Sequence, residues 1–293
     1  MLSGVATRVP APVLFVTGAV SMYVGAALAV ALFDRLPPTA VAVLRLLGAA
    51  AVLLAWRRPA RSAWRGRGFW RASAFGLATA LMNIAFYEAI ARLPLGTAVA
   101  IEFCGPVAVA AVASRRPRDV AAVLFAAVGV LLIADVRWSG SPSGVLWALG
   151  AATMWAAYIV LGKRVASGGN GLDDMTVGFV VAAVVLSPLL VVGGPGALGG
   201  LADPVVLVLA VGVGVLSSVV PYVLDQVVLR RLGQARFAVL LALLPATATV
   251  VGLIGLAQVP TVLEFLGIAA VVAAVSLRSR DGDTPETVGR TGG

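Results

Sequence analysis

Hydrophobic residues fall in long uncharged runs bounded by Arg, Pro and Gly, and charged residues gather in short clusters between them. A helix needs about 20 apolar residues to cross the hydrocarbon layer of a bilayer. The runs predict spans near 12–33, 38–56, 70–91, 95–113 and 119–135, then 144–163, 174–192, 204–228, 236–256 and 260–277. The uncharged stretch from Val120 to Ala134 is short for a crossing, so the fifth span must begin and end at charges. The first run exceeds 20 residues and is followed by Asp34-Arg35-Leu36-Pro37-Pro38, which reads as a retained span rather than a secretory leader. Beyond Leu277 the composition turns polar, and residues 278–293 are expected to form a disordered cytoplasmic tail.

Composition explains why the solvent must be lipid. Apolar residues make up 60% of the 293 positions and charged ones 12%, against roughly 45–50% and about 25% in soluble domains. The chain has no His and one Cys, Cys104, so an intrachain disulfide, histidine-based zinc hydrolysis and Cys/His catalysis are excluded. An intramembrane aspartyl protease needs two membrane Asp residues, and only Asp225 lies clearly within a span. No enzyme, cofactor or metal is expected. The net charge of +9 does not point to nucleic acid, because its distribution is topological. With both termini cytoplasmic, 18 of the 22 Lys and Arg residues face inward, Arg35, Arg92 and Arg137 face outward, and Arg45 lies within a span. The expectation is a multi-pass plasma-membrane protein.

The chain also repeats itself. Arg92-Leu93-Pro94 is followed twelve residues later by Pro106; Arg231-Leu232-Gly233 is followed twelve residues later by Pro245; Gly129 and Gly267 match at nearly the same offset. Each half opens on an aromatic- and alanine-rich helix, Tyr23 to Ala29 and Trp155 to Tyr158. The expected fold is therefore an all-α integral membrane bundle of ten transmembrane helices in two five-helix repeats, 12–136 and 144–277. Five is odd, so the second copy inserts upside down, and an inverted repeat has two equivalent rocked states, one open to each side.

From Asn83 to Arg116 the chain reads NIAFYEAIARLPLGTAVAIEFCGPVAVAAVASRR. Pro94 to Pro117 follows almost throughout the fourth-helix pattern PLGxAVAxEFxGPLAVAxxxSRRP of the threonine/homoserine exporter branch of the drug/metabolite transporter superfamily. Leu44-Arg45-Leu46, Gly150 to Ala156 and Ser217 to Tyr222 match further, so the chain resembles these EamA-type inner-membrane transporters from about Val13 to Leu277. The resemblance implies export of a small amino acid or related metabolite, coupled to protons, with export of cationic drugs as the alternative. Membrane lipid and a second copy of the chain are further expected partners. Two positions depart from the pattern. Where the family's second half carries Glu just before the equivalent of Pro245, and a Gly-Glu pair about a dozen residues later, this chain has Leu244 and Ala257-Gln258.

Glu102 lies about seven residues, ~10 Å, into the fourth span, where a bare carboxylate costs several kcal/mol unless protonated or paired. Pro106 has no N–H for the carbonyl of residue 102, so an acid and a free backbone acceptor share one depth, which suits a substrate ammonium or a proton. Arg45 enters span two to a similar depth. It pairs with Glu102, grips a substrate carboxylate, or is structural; a zwitterionic substrate would let Arg45 take the carboxylate and Glu102 the ammonium. Glu88 and Arg92 are spaced for an i, i+4 ion pair near the outer mouth. Asp225 is a gate acid or a partner for Arg230 or Arg231. Asn83, Tyr87 and Tyr222 offer neutral hydrogen bonds, Trp155 and Tyr158 wall or pack a cavity, and Pro221 frees the carbonyl of Ser217. Trp64, Trp70, Trp138 and Trp147 read as interfacial anchors.

Overall fold

Residues 9–113, 117–138, 141–166, 171–192, 202–241 and 243–279 are described in a computed structural model, and among them every regular element is helical. The order is α1 (Ala11–Leu32), α2 (Pro38–Arg57), a 3-10 turn (Arg61–Trp64), α3 (Gly66–Ile90), α4 (Leu95–Glu102), α5 (Cys104–Ala113), α6 (Pro117–Trp138) and α7 (Pro142–Ala166). It continues with α8 (Gly171–Leu186), α9 (Leu189–Val192), α10 (Pro204–Gly214), a π-helical turn (Val215–Val219), α11 (Val220–Leu241), α12 (Leu243–Leu256) and α13 (Val262–Ser279). Ala11–Leu32, Pro38–Arg57, Gly66–Ile90, Pro142–Gly162 and Pro204–Asp225 are long and apolar enough to cross a membrane, and Leu95–Val109, Val123–Leu132, Leu243–Leu256 and Val262–Ser276 are shorter apolar helices.

Proline positions most starts. Pro37-Pro38 opens α2, Pro94 precedes α4 and Pro204 begins α10, where a missing N–H is harmless because the first turn has no intrahelical acceptor. α2 stops at Arg58, whose positive φ of 47° takes the left-handed cap conformation.

Three stretches differ from the pattern read along the chain. The fourth is not one helix: α4 ends at Glu102 and α5 restarts at Cys104, because Pro106 cannot donate to Glu102. The seventh ends at Leu186 and resumes at Leu189, interrupted at Ser187-Pro188. The gap expected at 229–235 is itself helical, since Arg230-Arg231-Leu232-Gly233 contains no proline. Residues before and after this stretch both lie against α1. Along α1, Ser217 reaches Met22, Leu224 faces Gly18 and Arg231 donates to the Val9 carbonyl, after which Phe237 returns to Phe15. The expected tail falls almost entirely on 280–293, outside the described residues.

α3 packs on α7 and α8, α1 on the π turn, α11 and α12, and α2 on α8 and α10; α4 crosses α12 and touches α7, and α6 runs along α13. Lipid is as apolar as Leu, so these contacts hold by close van der Waals packing, and small residues sit where backbones meet. A Cβ on Gly76 would overlap the Gly178 carbonyl, and one on Gly129 would meet the Gly267 carbonyl at 2.7 Å. Val112, Ile254 and Val262 turn outward, and Trp70, 72% exposed, and Trp147 sit on the surface; the side chain of Trp138 lies outside the described residues.

Polar ties cluster at the two ends of the bundle. At one end Thr39 donates to Glu88 through its backbone N–H (3.1 Å) and its hydroxyl (2.6 Å), Arg92 pairs with Glu88 at 2.6 Å, and Arg35 reaches Asp203 at 3.5 Å. At the opposite end Arg57 pairs with Asp173 at 3.1 Å.

Candidate functional site

Between these ends lies a cavity of about 420 Å³, walled by α1, α2, α3, α7, α8, the α4–α5 break, the π turn with α11, and α12. Its charged members are Arg45, Glu102 and Asp225.

Arg45 is held by three neutral acceptors. Its Nε donates to Ser218 Oγ (3.2 Å), Nη1 to Asn83 Oδ1 (2.8 Å) and Nη2 to the Ser217 carbonyl (2.9 Å), while the guanidinium stands 5.4 Å from the Tyr87 ring centroid. Asn83 is fixed in turn by donating from Nδ2 to the Thr79 carbonyl (2.8 Å), which leaves its amide oxygen facing Arg45. The Ser217 carbonyl is available because Pro221 has no N–H to offer it, and the π turn at 215–219 marks the same irregularity. A guanidinium has five N–H donors; among the described residues three are used, none of them in an ion pair with an acid, and two donors remain. Arg45 and Glu102 therefore share the cavity without forming an ion pair.

Glu102, the last residue of α4, is 8% exposed and lines the cavity, and its carboxyl accepts no hydrogen bond from the described residues. Gly105 serves a helix rather than a ligand, since a Cβ there would overlap the Ala152 carbonyl of α7. Asp225 also faces the cavity with no hydrogen bond or ion pair among the described residues. Arg231 donates to Val9, and the side chain of Arg230 lies outside the described residues.

Tyr158 and Trp155 line the wall, the first tilted by 34° against Phe75 with ring centroids 4.8 Å apart and the second edge-on to Phe103 at 4.7 Å. Pro106 and Pro221 reach the cavity; Pro245 is buried in α12, one residue from cavity-lining Leu244. Tyr87 and Glu88 do not line it. Tyr87 is fully buried beneath Arg45 with an unpartnered hydroxyl among the described residues, because its ring packs between Phe33 and Phe86. Glu88 caps α2 by accepting from the Thr39 N–H and hydroxyl in its first turn. The side chain of Tyr222 is outside the described residues.

Several participants were not singled out from the sequence. Tyr23, Met22 and Ala19 line the cavity from α1, whose run of mixed small and apolar residues carries no polar stripe to mark that face. Thr79 supports Asn83 from one turn away. Thr261-Val-Leu-Glu264 was legible as a capping box: Glu264 accepts from the Thr261 N–H (2.9 Å) and its own N–H donates to the Thr261 hydroxyl (3.3 Å). Gln258 Oε1 accepts from the Leu95 N–H at 2.8 Å, capping α4. The two positions that depart from the exporter pattern thus do different things: Gln258 is a helix cap, and Leu244 is cavity wall. Among the described residues no group of His, Cys, Asp and Glu could hold a metal ion.

Comparison with known proteins agrees with this architecture. Residues 142–280 match the EamA-like transporter family. The threonine/homoserine exporter RhtA of Salmonella typhimurium (strain SL1344) is 35% identical over 257 residues, covering 87% of this chain and 86% of its own. The threonine/homoserine exporter RhtA of Escherichia coli (strain K12) is 34% identical over 265 residues, 89% of this chain and 88% of its own. Among solved structures, one protein crystal structure superposes with a TM-score of 0.59 at 18% identity, over 91% of this chain and 96% of that one, a likeness of fold.

Proposed function

The chain belongs to the EamA-like transporter family, in its threonine/homoserine exporter branch, and on that premise we propose that it exports small amino acids of the threonine and homoserine class across the inner membrane in exchange for protons. The observation that carries the reading is one cavity in which an unpartnered carboxyl, Glu102, shares space with a guanidinium, Arg45, that still has two free donors. The substrate carboxylate takes the two Arg45 donors and its ammonium takes Glu102. Glu102 cannot hold an ammonium and a proton together. A proton arriving from the acidic outer side displaces the substrate, and the protonated carrier returns to release the proton inside.

Alternating access needs two equivalent arrangements, and the helix pairings support two inverted halves. Exchanging the first five spans with the second five carries the α1–α11 contact onto α7–α3 and the α2–α10 contact onto α8–α3, while α4–α12, α2–α8 and α6–α13 map onto themselves. The cavity continues past Asp225 to Phe237, toward the end bearing Arg231, and the other end is drawn together by Glu88, Thr39 and Arg92. If the charge distribution sets the orientation, this is the inward-facing state with both termini in the cytoplasm.

Aromatic walls, among them Phe75, Phe86 and Trp155, favour a second reading as an exporter of lipophilic cations. Arg45 opposes it, because a guanidinium with two donors left by its neutral partners suits a substrate carboxylate, which a quaternary ammonium lacks. Proteoliposomes loaded with radiolabelled threonine or with a quaternary ammonium compound separate the two. Threonine efflux accelerated by an inward proton gradient is expected, and gradient-driven efflux of the quaternary ammonium alone would reverse the choice.

A further inference from the structure

A threonine-like zwitterion leaves one group in the cavity unanswered. It brings one positive and one negative charge to Glu102 and Arg45, and Asp225 stays unpaired among the described residues. An uncompensated charge in such a site is costly, so Asp225 is either neutralised by a proton or paired with a ligand. We infer that the cavity takes a diamino acid, an α-amino acid whose side chain ends in a second ammonium, with Asp225 as the site for that distal charge. The inference rests on the export reading above and extends it to a substrate class.

Charge, spacing and lining each lead there. With all three side chains ionised, Glu102, Asp225 and Arg45 sum to one net negative charge, and a diamino acid carries one net positive charge. Ser217, Ser218, Pro221 and Asp225 all face the cavity, on one side of the π turn and α11. Ser217 and Ser218 anchor Arg45, and Asp225 lies seven and eight residues further along, about two helical turns or ~11 Å. A side chain of three or four carbons, with a hydrogen bond at each end, spans that distance. Pro221, Gly18 and Met22 also line the cavity and supply apolar surface for the methylene stem. Arg231 is committed to the Val9 carbonyl, and Asp225 forms no ion pair with any described residue. Glu102, more than nine-tenths buried and unpartnered on the same cavity, shows that this space is built for a cation.

The test uses the full-length protein in proteoliposomes preloaded with radiolabelled L-threonine, L-lysine or L-norleucine, the last matching lysine without its terminal ammonium. Lysine is expected to leave at least about tenfold faster than norleucine at equal subsaturating concentration, the value of one well-placed charged hydrogen bond. Asp225→Asn should lower the ratio of lysine to threonine efflux by a similar factor, and Asp225→Glu should restore much of it. The wild-type comparison of lysine with norleucine stands even if the variants fail to insert. Threonine efflux with lysine no faster than norleucine overturns this inference and leaves the export reading intact. Efflux of neither threonine nor lysine overturns both, and lysine efflux without threonine efflux upholds the diamino-acid site while removing threonine from the substrates.

Discussion

Replacing Arg45 by Lys separates recognition by shape from recognition by charge. The guanidinium reaches Asn83 on α3 and Ser217 and Ser218 in the π turn through three nitrogens, and keeps two donors for a substrate carboxylate. A lysine ammonium keeps the charge but is a point donor, so it can hold about one of the three acceptors and cannot clamp a carboxylate in two places. Losing one of two charge-assisted substrate bonds costs about 1.5–3 kcal/mol, or a rise of roughly ten- to a hundredfold in the threonine concentration for half-maximal transport. Stability should fall by less, about 1–2 kcal/mol, because cavity water can replace part of what Ser217 and Ser218 lose. The assay is threonine counterflow in proteoliposomes, run beside L-threoninol, which has the ammonium and hydroxyl but no carboxylate. Threonine should lose affinity in Arg45→Lys and threoninol should not. If threonine half-saturation stays within about twofold of wild type, or both compounds weaken equally, Arg45 is a structural tie and the carboxylate assignment is wrong.

Glu102→Gln preserves shape and removes the exchangeable proton, so the ratio of efflux with and without an inward proton gradient should drop to about one; an unchanged ratio removes Glu102 from the coupling. Gly76→Ala should lower the thermal midpoint by several degrees, since its methyl overlaps the Gly178 carbonyl and overpacking costs about 1–3 kcal/mol, whereas Gly212→Ala, with open space around it, should leave the midpoint unchanged or higher. Gln258→Glu restores the acid of the exporter pattern at the N-terminus of α4, where negative charge contributes about 0.3–1 kcal/mol. Its thermal midpoint should rise by roughly 1–3 °C with efflux retained, and a lower midpoint would mean that Gln258 Oε1 does not cap the helix.

Much of this protein was written along the chain. A helix in lipid must satisfy its own backbone hydrogen bonds, so an uncharged run of sufficient length is a helix whatever its neighbours are, and the first three helices begin and end within four residues of the runs that announced them. Proline chemistry is equally local: a missing N–H at Pro221 frees the Ser217 carbonyl wherever the helix goes, and Pro106 breaks the helix at Glu102. The cost of burying charge likewise singled out Arg45, Glu102 and Asp225, all of which face the cavity.

Partnership was decided only in three dimensions. Arg45 and Glu102 have similar depth and opposite charge, and a one-dimensional pattern does not reveal that Asn83, Ser217 and Ser218 reach the guanidinium while Glu102 stays unpartnered. Sequence position could not separate Glu88, which caps a helix, from Asp225, which faces the cavity; nor Gln258, a cap, from Leu244, a wall. Run length and backbone chemistry act within one segment. A side chain's facing and its neighbours depend on how several segments cross, and that is a property of the packed bundle alone.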